Sequence, residues 1–273
     1  MTTTTGPRHH ETGTAMLLVE SEDGVATVTF NNPAKHNALS REMREALPAA
    51  LHALQDDGDV RVVVLRGAGD RAFVSGADIS EFGDQRTSPE ARAAYDRASG
   101  DVGRAWAALG KPVIAMVRGY CIGGGLLTAL QADIRIASDD SQFGVPAARL
   151  GLGYPLSGVE ALASVVGQSW AAEILFSARR LTAAEALDIG LVNRVVPADR
   201  LADSVQDLAQ GIAANAPLTV AACKAALQQL RRPREARDTG KVAALVEACF
   251  RSEDYREGQQ AFASGKRIEP RTR

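Results

Sequence analysis

The chain is short of the residues that most nucleophilic and metal-dependent enzymes rely on. It has four histidines in 273 residues, at positions 9, 10, 36 and 52. No histidine follows His52, and neither HExxH nor GxSxG occurs, so the zinc-protease and serine-hydrolase patterns are excluded. A Ser/His or Cys/His hydrolase would have to recruit His36 or His52. Cys121, Cys223 and Cys249 are too few and too widely spaced for a disulfide framework or a thiolate zinc site, which points to the cytoplasm and to no bound metal. Aromatic residues make up only 5%. The net charge of −2 provides no basic field for nucleic acid and no polybasic membrane stretch. The longest apolar runs, such as Pro112–Val117, are too short to span a bilayer. Met1-Thr-Thr-Thr-Thr lacks the apolar centre of a signal peptide.

What is present is ordinary for a folded globular chain: 45% hydrophobic and 23% charged residues, enough for one large domain or a domain with an extension. Val25–Phe30 alternates as a strand does, and Asn31-Asn-Pro33 is turn chemistry. Ser40 reads as the N-cap of a helix running to about Gln55, with Pro48 an awkward interior residue. Val60–Arg66, Pro112–Val117 and Ile134–Ala137 are continuous apolar runs of the buried-strand kind. Thr182-Ala-Ala-Glu185 is a capping box, Gly190 closes the helix it opens, and Leu191–Val196 returns as a strand. From about Ala198 to Ala263 the pattern is helical. The expected organisation is a mobile tail (1–14), an α/β core (15–197) and a C-terminal helical region (198–273).

Three stretches carry candidate chemistry. Ala72-Phe-Val-Ser-Gly-Ala-Asp-Ile79 reads as a loop after a buried strand, with Gly76 allowing close backbone approach, or as a plain strand-to-helix turn. Gly119-Tyr-Cys-Ile-Gly-Gly-Gly125 opens an apolar helix, and its glycines expose a backbone N–H in a helix dipole, where a developing oxyanion can be held. The spacing is neither a dinucleotide fingerprint nor a P-loop. Tyr154, in Gly151-Leu-Gly-Tyr-Pro-Leu-Ser-Gly158, is either a hydrogen-bond donor to a substrate or a packing residue. Arg149 and Glu160 flank it.

In order, the stretches Asn32-Pro-Ala-Lys-His-Asn-Ala-Leu39, Phe73–Ile79, Lys111–Ala115, Gly119–Gly125, Ala132–Ala137, Phe143–Pro146, Ala184–Val192 and Ser252–Gly258, with Lys266-Arg267, resemble the crotonase superfamily, also called enoyl-CoA hydratase/isomerase. The resemblance implies a spiral of ββα turns with a C-terminal helical trimerisation region. It implies acyl-CoA thioesters as substrates, a homotrimer or dimer of trimers, and no cofactor beyond the coenzyme A that the substrate carries. It further implies that the backbone N–H groups of Ala77 and Gly124 form the oxyanion hole. Lys35, Ala38, Ala77, Asp78, Ile79 and Ser80 would line the CoA moiety. One departure stands out: Leu127 and Ala147 occupy the places where hydratases of that family carry their two glutamates.

Without those carboxylates ordinary hydration should be severely slowed, since positioned acid–base groups contribute roughly 10²–10⁴-fold. Three readings follow. The first is a hydratase- or isomerase-like enzyme with a relocated acid or base, for which Glu81, Glu160 and Arg149 are candidates. The second is decarboxylation of a malonyl-type thioester, which abstracts no proton. Leu150-Gly-Leu-Gly-Tyr154-Pro is similar to the L-G-V-P-Y-N stretch of such decarboxylases. The third is a non-catalytic acyl-CoA binder.

Overall fold

The computed structural model describes residues 6–81 and 88–264. Lys266 and Arg267 lie outside that range. The core consists of strand pairs whose members go to different sheets. Strands β1 (Arg8–His10), β2 (Leu17–Glu22), β3 (Val25–Phe30), β4 (Val62–Gly67), β6 (Val113–Val117), β8 (Ile134–Ser138) and β11 (Arg194–Val196) form a seven-stranded sheet in the order β1-β2-β3-β4-β6-β8-β11. From β3 onward its pairings are parallel. The shorter strands β5 (Ala72–Val74), β7 (Tyr120–Ile122), β9 (Gln142–Gly144) and β10 (Leu181–Thr182) build a second sheet in the order β10-β9-β7-β5. Each turn of chain thus lays one strand in the large sheet and the next in the small one: β4 then β5, β6 then β7, β8 then β9. This is the α/β spiral that the resemblance implies.

The sequence explains the layering. Val62, Val63, Val64 and Leu65 are all buried because both faces of the large sheet are covered. On one face, α1 (Arg41–Asp56) packs Met43, Leu47, Leu51 and Leu54 into the main core with Phe30, Leu65 and Phe73, and α2 (Pro89–Ala108) adds Ala105 and Trp106 to it. On the other, α6 (Leu201–Ala213) lays Leu201, Val205, Ala209 and Ala213 over Val25, Val62, Val64, Ile114 and Ile136. That face repeats at helical spacing against branched residues of parallel strands.

The expected caps are present. Ser40 Oγ accepts from Met43 N–H, and Thr182 and Glu185 form the reciprocal capping box of α5 (Ala183–Asp188). Pro48 lies inside α1, which continues to Asp56. Lys111 Nζ donates to the carbonyls of Leu54 and Asp57 at the C-terminal end of that helix, where a cation is favoured.

Two expectations need correction. The tail expected to be mobile over 1–14 contains a strand: Arg8, His9 and His10 pair antiparallel with Ser21, Glu20 and Val19. Arg8 is also bound to Asp57, and His10 Nε2 lies 2.9 Å from Ser21 Oγ. Backbone pairing at an open sheet edge tethers this segment, and no local hydrophobic pattern announces it. In addition, Ala72–Val74 is a strand of the small sheet, where a loop or turn had been expected, and Tyr120–Ile122, ahead of the expected helix, is another. At three residues each they are too short to display a period of two.

The C-terminal region holds α6, α7 (Pro217–Leu230), α8 (Thr239–Arg251) and α9 (Glu253–Ser264). It is tied to the core by Lys224, whose ammonium reaches both carboxylate oxygens of Asp133 at 2.7 Å. Asp133 Oδ2 also accepts from the Val113 N–H at the start of β6.

A buried asparagine organises the approach to the site. Asn37, fully buried, accepts from the Asn32 N–H and donates to the carbonyls of Ala68 and Ala72. A Cβ placed on Gly67 would lie 2.2 Å from the Ala72 carbonyl oxygen, 2.3 Å from that of Phe73 and 2.5 Å from Asn37 Nδ2, so this close approach requires glycine. Asn37→Ala should therefore destabilise the chain by roughly 1–3 kcal/mol for each buried group left unpaired. The expected result is a lower urea midpoint at unchanged m-value, and an unaltered midpoint would refute it.

Candidate active site

The site forms where β5, β7 and the short helix α3 (Gly124–Ala129) meet. Each glycine of the triplet has a different task. Gly123 takes φ +54, ψ −117, which turns the chain from β7 into the helix. A Cβ on Gly125 would stand 1.9 Å from the carbonyl oxygen of Val74, so only glycine lets α3 rest on the end of β5. Gly124 sits between them at the first helical position, where its N–H has no intrahelical acceptor.

The partner strand end is equally constrained. Leu39 and Ala77 form an isolated parallel bridge in which the Leu39 N–H donates to Gly76 O and Leu39 O accepts from the Asp78 N–H. In that pattern Ala77 directs its own N–H away from Leu39. A Cβ on Gly124 would stand 3.5 Å from the Ala77 nitrogen, and one on Gly76, at φ +116, would stand 3.9 Å from the Gly124 nitrogen. The two N–H groups are therefore neighbours, and no backbone acceptor among the described residues takes either.

Beyond them lie the residues expected to line a CoA. Lys35 Nζ donates to Asp78 Oδ2 at 2.7 Å and to Ser80 Oγ at 2.8 Å, while the Ser80 N–H and hydroxyl both donate to Asp78 Oδ1. Burial alone would raise the Asp78 carboxyl, but the bonds from Lys35 and Ser80 outweigh it and hold it below its ordinary value. Ala38 is buried, and Ile79 is 64% exposed. The structure thus brings together Lys35, Ala38, Ala77, Asp78, Ile79 and Ser80.

The residues expected to form the other wall are apolar. Leu127 lies three residues beyond Gly124, on the same face of α3, and is partly buried against the main core. Ala147 is buried in the 3₁₀ turn Pro146–Leu150. Tyr154 packs against the same core just before α4 (Leu156–Ser177), with its hydroxyl oxygen buried.

The three charged candidates for acid–base work are placed as follows. Glu81 accepts from the Arg41 N–H at the start of α1 and lies 3.9 Å from Arg44. Glu160 and Arg149 are exposed. Sequence reasoning missed Asn37 as an organiser and Gly158 as the surface under Tyr154. The repeated Asn in Asn31-Asn32…Asn37 was the only local signal for the first.

A family model described as enoyl-CoA hydratase/isomerase matches residues 20–269. The chain belongs to the enoyl-CoA hydratase/isomerase family. It is 36% identical over 256 residues to a short-chain-enoyl-CoA hydratase of Clostridium acetobutylicum, covering 93% of this chain and 96% of that relative. It is 34% identical to a crotonyl-CoA hydratase of Syntrophomonas wolfei, over 90% and 94% of the two chains. Among solved structures, an enoyl-CoA hydratase/carnithine racemase from Magnetospirillum magneticum is 35% identical and superposes with a TM-score of 0.87, over 95% of this chain and 97% of that one. Membership makes this an enzyme family that handles acyl-CoA.

The depressed Asp78 carboxyl sets a direction for pH dependence. Its ion pair contributes fully above the ordinary carboxylate range, about pH 4, and is lost as pH falls through the lower folded value. Asp78→Asn should lower the Tm clearly at pH 7, and the gap to the wild type should narrow by pH 3. Thermal unfolding at the two pH values checks this, and a gap that widens on acidification would contradict it.

Proposed function

We propose that the chain performs thioester enolate chemistry on an acyl-CoA, with the oxyanion held by the backbone N–H groups of Ala77 and Gly124. The observation that carries this reading is their juxtaposition, which the Gly125–Val74 contact enforces. Such donors act on charge that develops in the transition state, and one is worth roughly 2.7–4 kcal/mol. Lys35, Asp78, Ser80 and the Ala77–Ser80 loop hold the CoA portion. The chemistry needs no metal and no redox cofactor.

Ordinary hydration is weak in this reading. Leu127 and Ala147 offer neither the acid nor the base that would activate water, and Glu81 is committed to the start of α1. The second reading, decarboxylation of a malonyl-type thioester, is favoured by the buried Tyr154 hydroxyl beside that apolar wall. Loss of CO₂ leaves its electron pair on the α-carbon. The enolate then forms with no proton abstracted, and an apolar wall disfavours the solvated carboxylate. Either reaction falls within the lyase or isomerase chemistry of the family.

Assembly as a homotrimer, or a dimer of trimers, accounts for the apolar side chains left open on the C-terminal helices. Leu230 is 63% exposed, Phe250 54% and Phe262 88%. A monomer in analytical ultracentrifugation at micromolar concentration would contradict this assembly, and a species of three or six copies is expected. The three free cysteines agree with a reducing cytoplasm.

The direct test is a mass-spectrometric panel of crotonyl-CoA and ethylmalonyl-CoA. Little water should add to crotonyl-CoA with the wild type. Leu127→Glu/Ala147→Glu, checked for folding by circular dichroism, should raise that rate at least about tenfold, since placed carboxylates contribute roughly 10²–10⁴-fold. Wild-type hydration that the double variant does not exceed would overturn the reading of the two positions. CO₂ loss from ethylmalonyl-CoA that falls in Tyr154→Phe would support decarboxylation. Saturable binding with no product from any thioester would leave a non-catalytic binder.

A further inference from the structure

Among the described residues, Tyr154 carries the only buried hydroxyl without a hydrogen-bond partner. A phenol in that state forgoes a bond that buried polar groups nearly always make. The ring is not loosely placed. A Cβ on Gly158 would stand 2.9 Å from Tyr154 Cε1 and 3.4 Å from both Tyr154 Cδ1 and Leu127 Cδ1. The ring edge therefore lies directly on the bare backbone of the first turn of α4, beside the Leu127 methyl. Pro155 follows Tyr154 and restricts its backbone to extended conformations. Glycine below, leucine beside and proline after leave the ring little freedom, and none of them has a side chain that can accept from its hydroxyl, which has no partner among the described residues. Burial also pushes the phenol up, so it remains a donor throughout the neutral range.

Leu127 sits one helical turn from Gly124, so the ring beside its methyl lies on the Leu127 side of the site and not among Lys35, Asp78 and Ser80. We propose that Tyr154, seated on Gly158, selects acyl groups that bear an oxygen acceptor, a carboxylate or a ketone, over plain hydrocarbon chains. Gly158 is then a positioning residue: any side chain there would push the ring off its seat. The inference rests on the acyl-CoA reading above and adds to it the class of acyl group.

Equilibrium binding to the full-length protein tests it, with butyryl-CoA, acetoacetyl-CoA and succinyl-CoA as probes measured by calorimetry. The wild type should bind at least one oxygenated probe roughly tenfold more tightly than butyryl-CoA, the gain from one satisfied donor. Tyr154→Phe should bring that ratio near one while butyryl-CoA affinity holds or rises. Gly158→Ala, with the hydroxyl still present, should lose the same preference. A merely structural role would weaken all three probes together and leave the ratio intact. A wild-type ratio near one, or a ratio unchanged in Tyr154→Phe, would overturn the inference and leave the acyl-CoA reading standing. Failure of all three probes to bind the wild type would overturn both.

Discussion

The contact between Gly125 and the end of β5 is the constraint on which the site depends. Helix α3 can rest against Val74 only because residue 125 has no side chain. That contact brings the Gly124 N–H beside the Ala77 N–H. Ala77 is in turn held by its bridge to Leu39, and Leu39 follows the segment that Asn37 fastens to Ala68 and Ala72. Backbone groups held this way do not need to reorganise when charge appears, which is the condition for electrostatic catalysis. The two-sheet spiral serves the same end. It delivers β5 and β7 side by side, so that the segments following both strands reach the same place.

The two sides of the site differ in character. On the side of Lys35, Asp78 and Ser80, polar groups are paired and occupied. On the side of Leu127, Ala147 and Tyr154, the surroundings are apolar and hold one idle donor. In the proposed reading, the paired N–H groups of Ala77 and Gly124 would stabilise an enolate, and the apolar residues opposite would provide no means to move a proton. The relatives named as hydratases match this chain over nearly its whole length, and Leu127 and Ala147 are the positions on which the proposed departure from hydration rests.

Much of this was legible in the sequence, for physical reasons that differ by element. The buried strands β4 and β6 show as continuous apolar runs, and Ser40 and the Thr182–Glu185 box mark helix starts by their capping chemistry. The glycine triplet signals a backbone site because its first position needs a positive φ and its third leaves no room for a side chain. What stayed hidden depends on partners distant in sequence. Strand β1 exists through pairing at an open edge, the three-residue strands of the small sheet are too short to carry a period, and the bonds of Asn37 reach 31 and 35 residues along the chain. Tyr154 was visible as a candidate, but its seat on Gly158 was not, because a missing side chain has no pattern until the ring that occupies its space is seen. The charged alternatives at Glu81, Glu160 and Arg149 could be weighed only once their positions were known.

The most direct test of the paired N–H groups is the infrared carbonyl stretch of a bound, isotopically labelled butyryl-CoA thioester. Two donors on the oxygen should shift the stretch to lower frequency relative to free ligand. Gly124→Pro, which suits the first helical position but removes the N–H, should abolish most of that shift. An unshifted carbonyl in the wild type, or the same shift in the variant, would contradict the account.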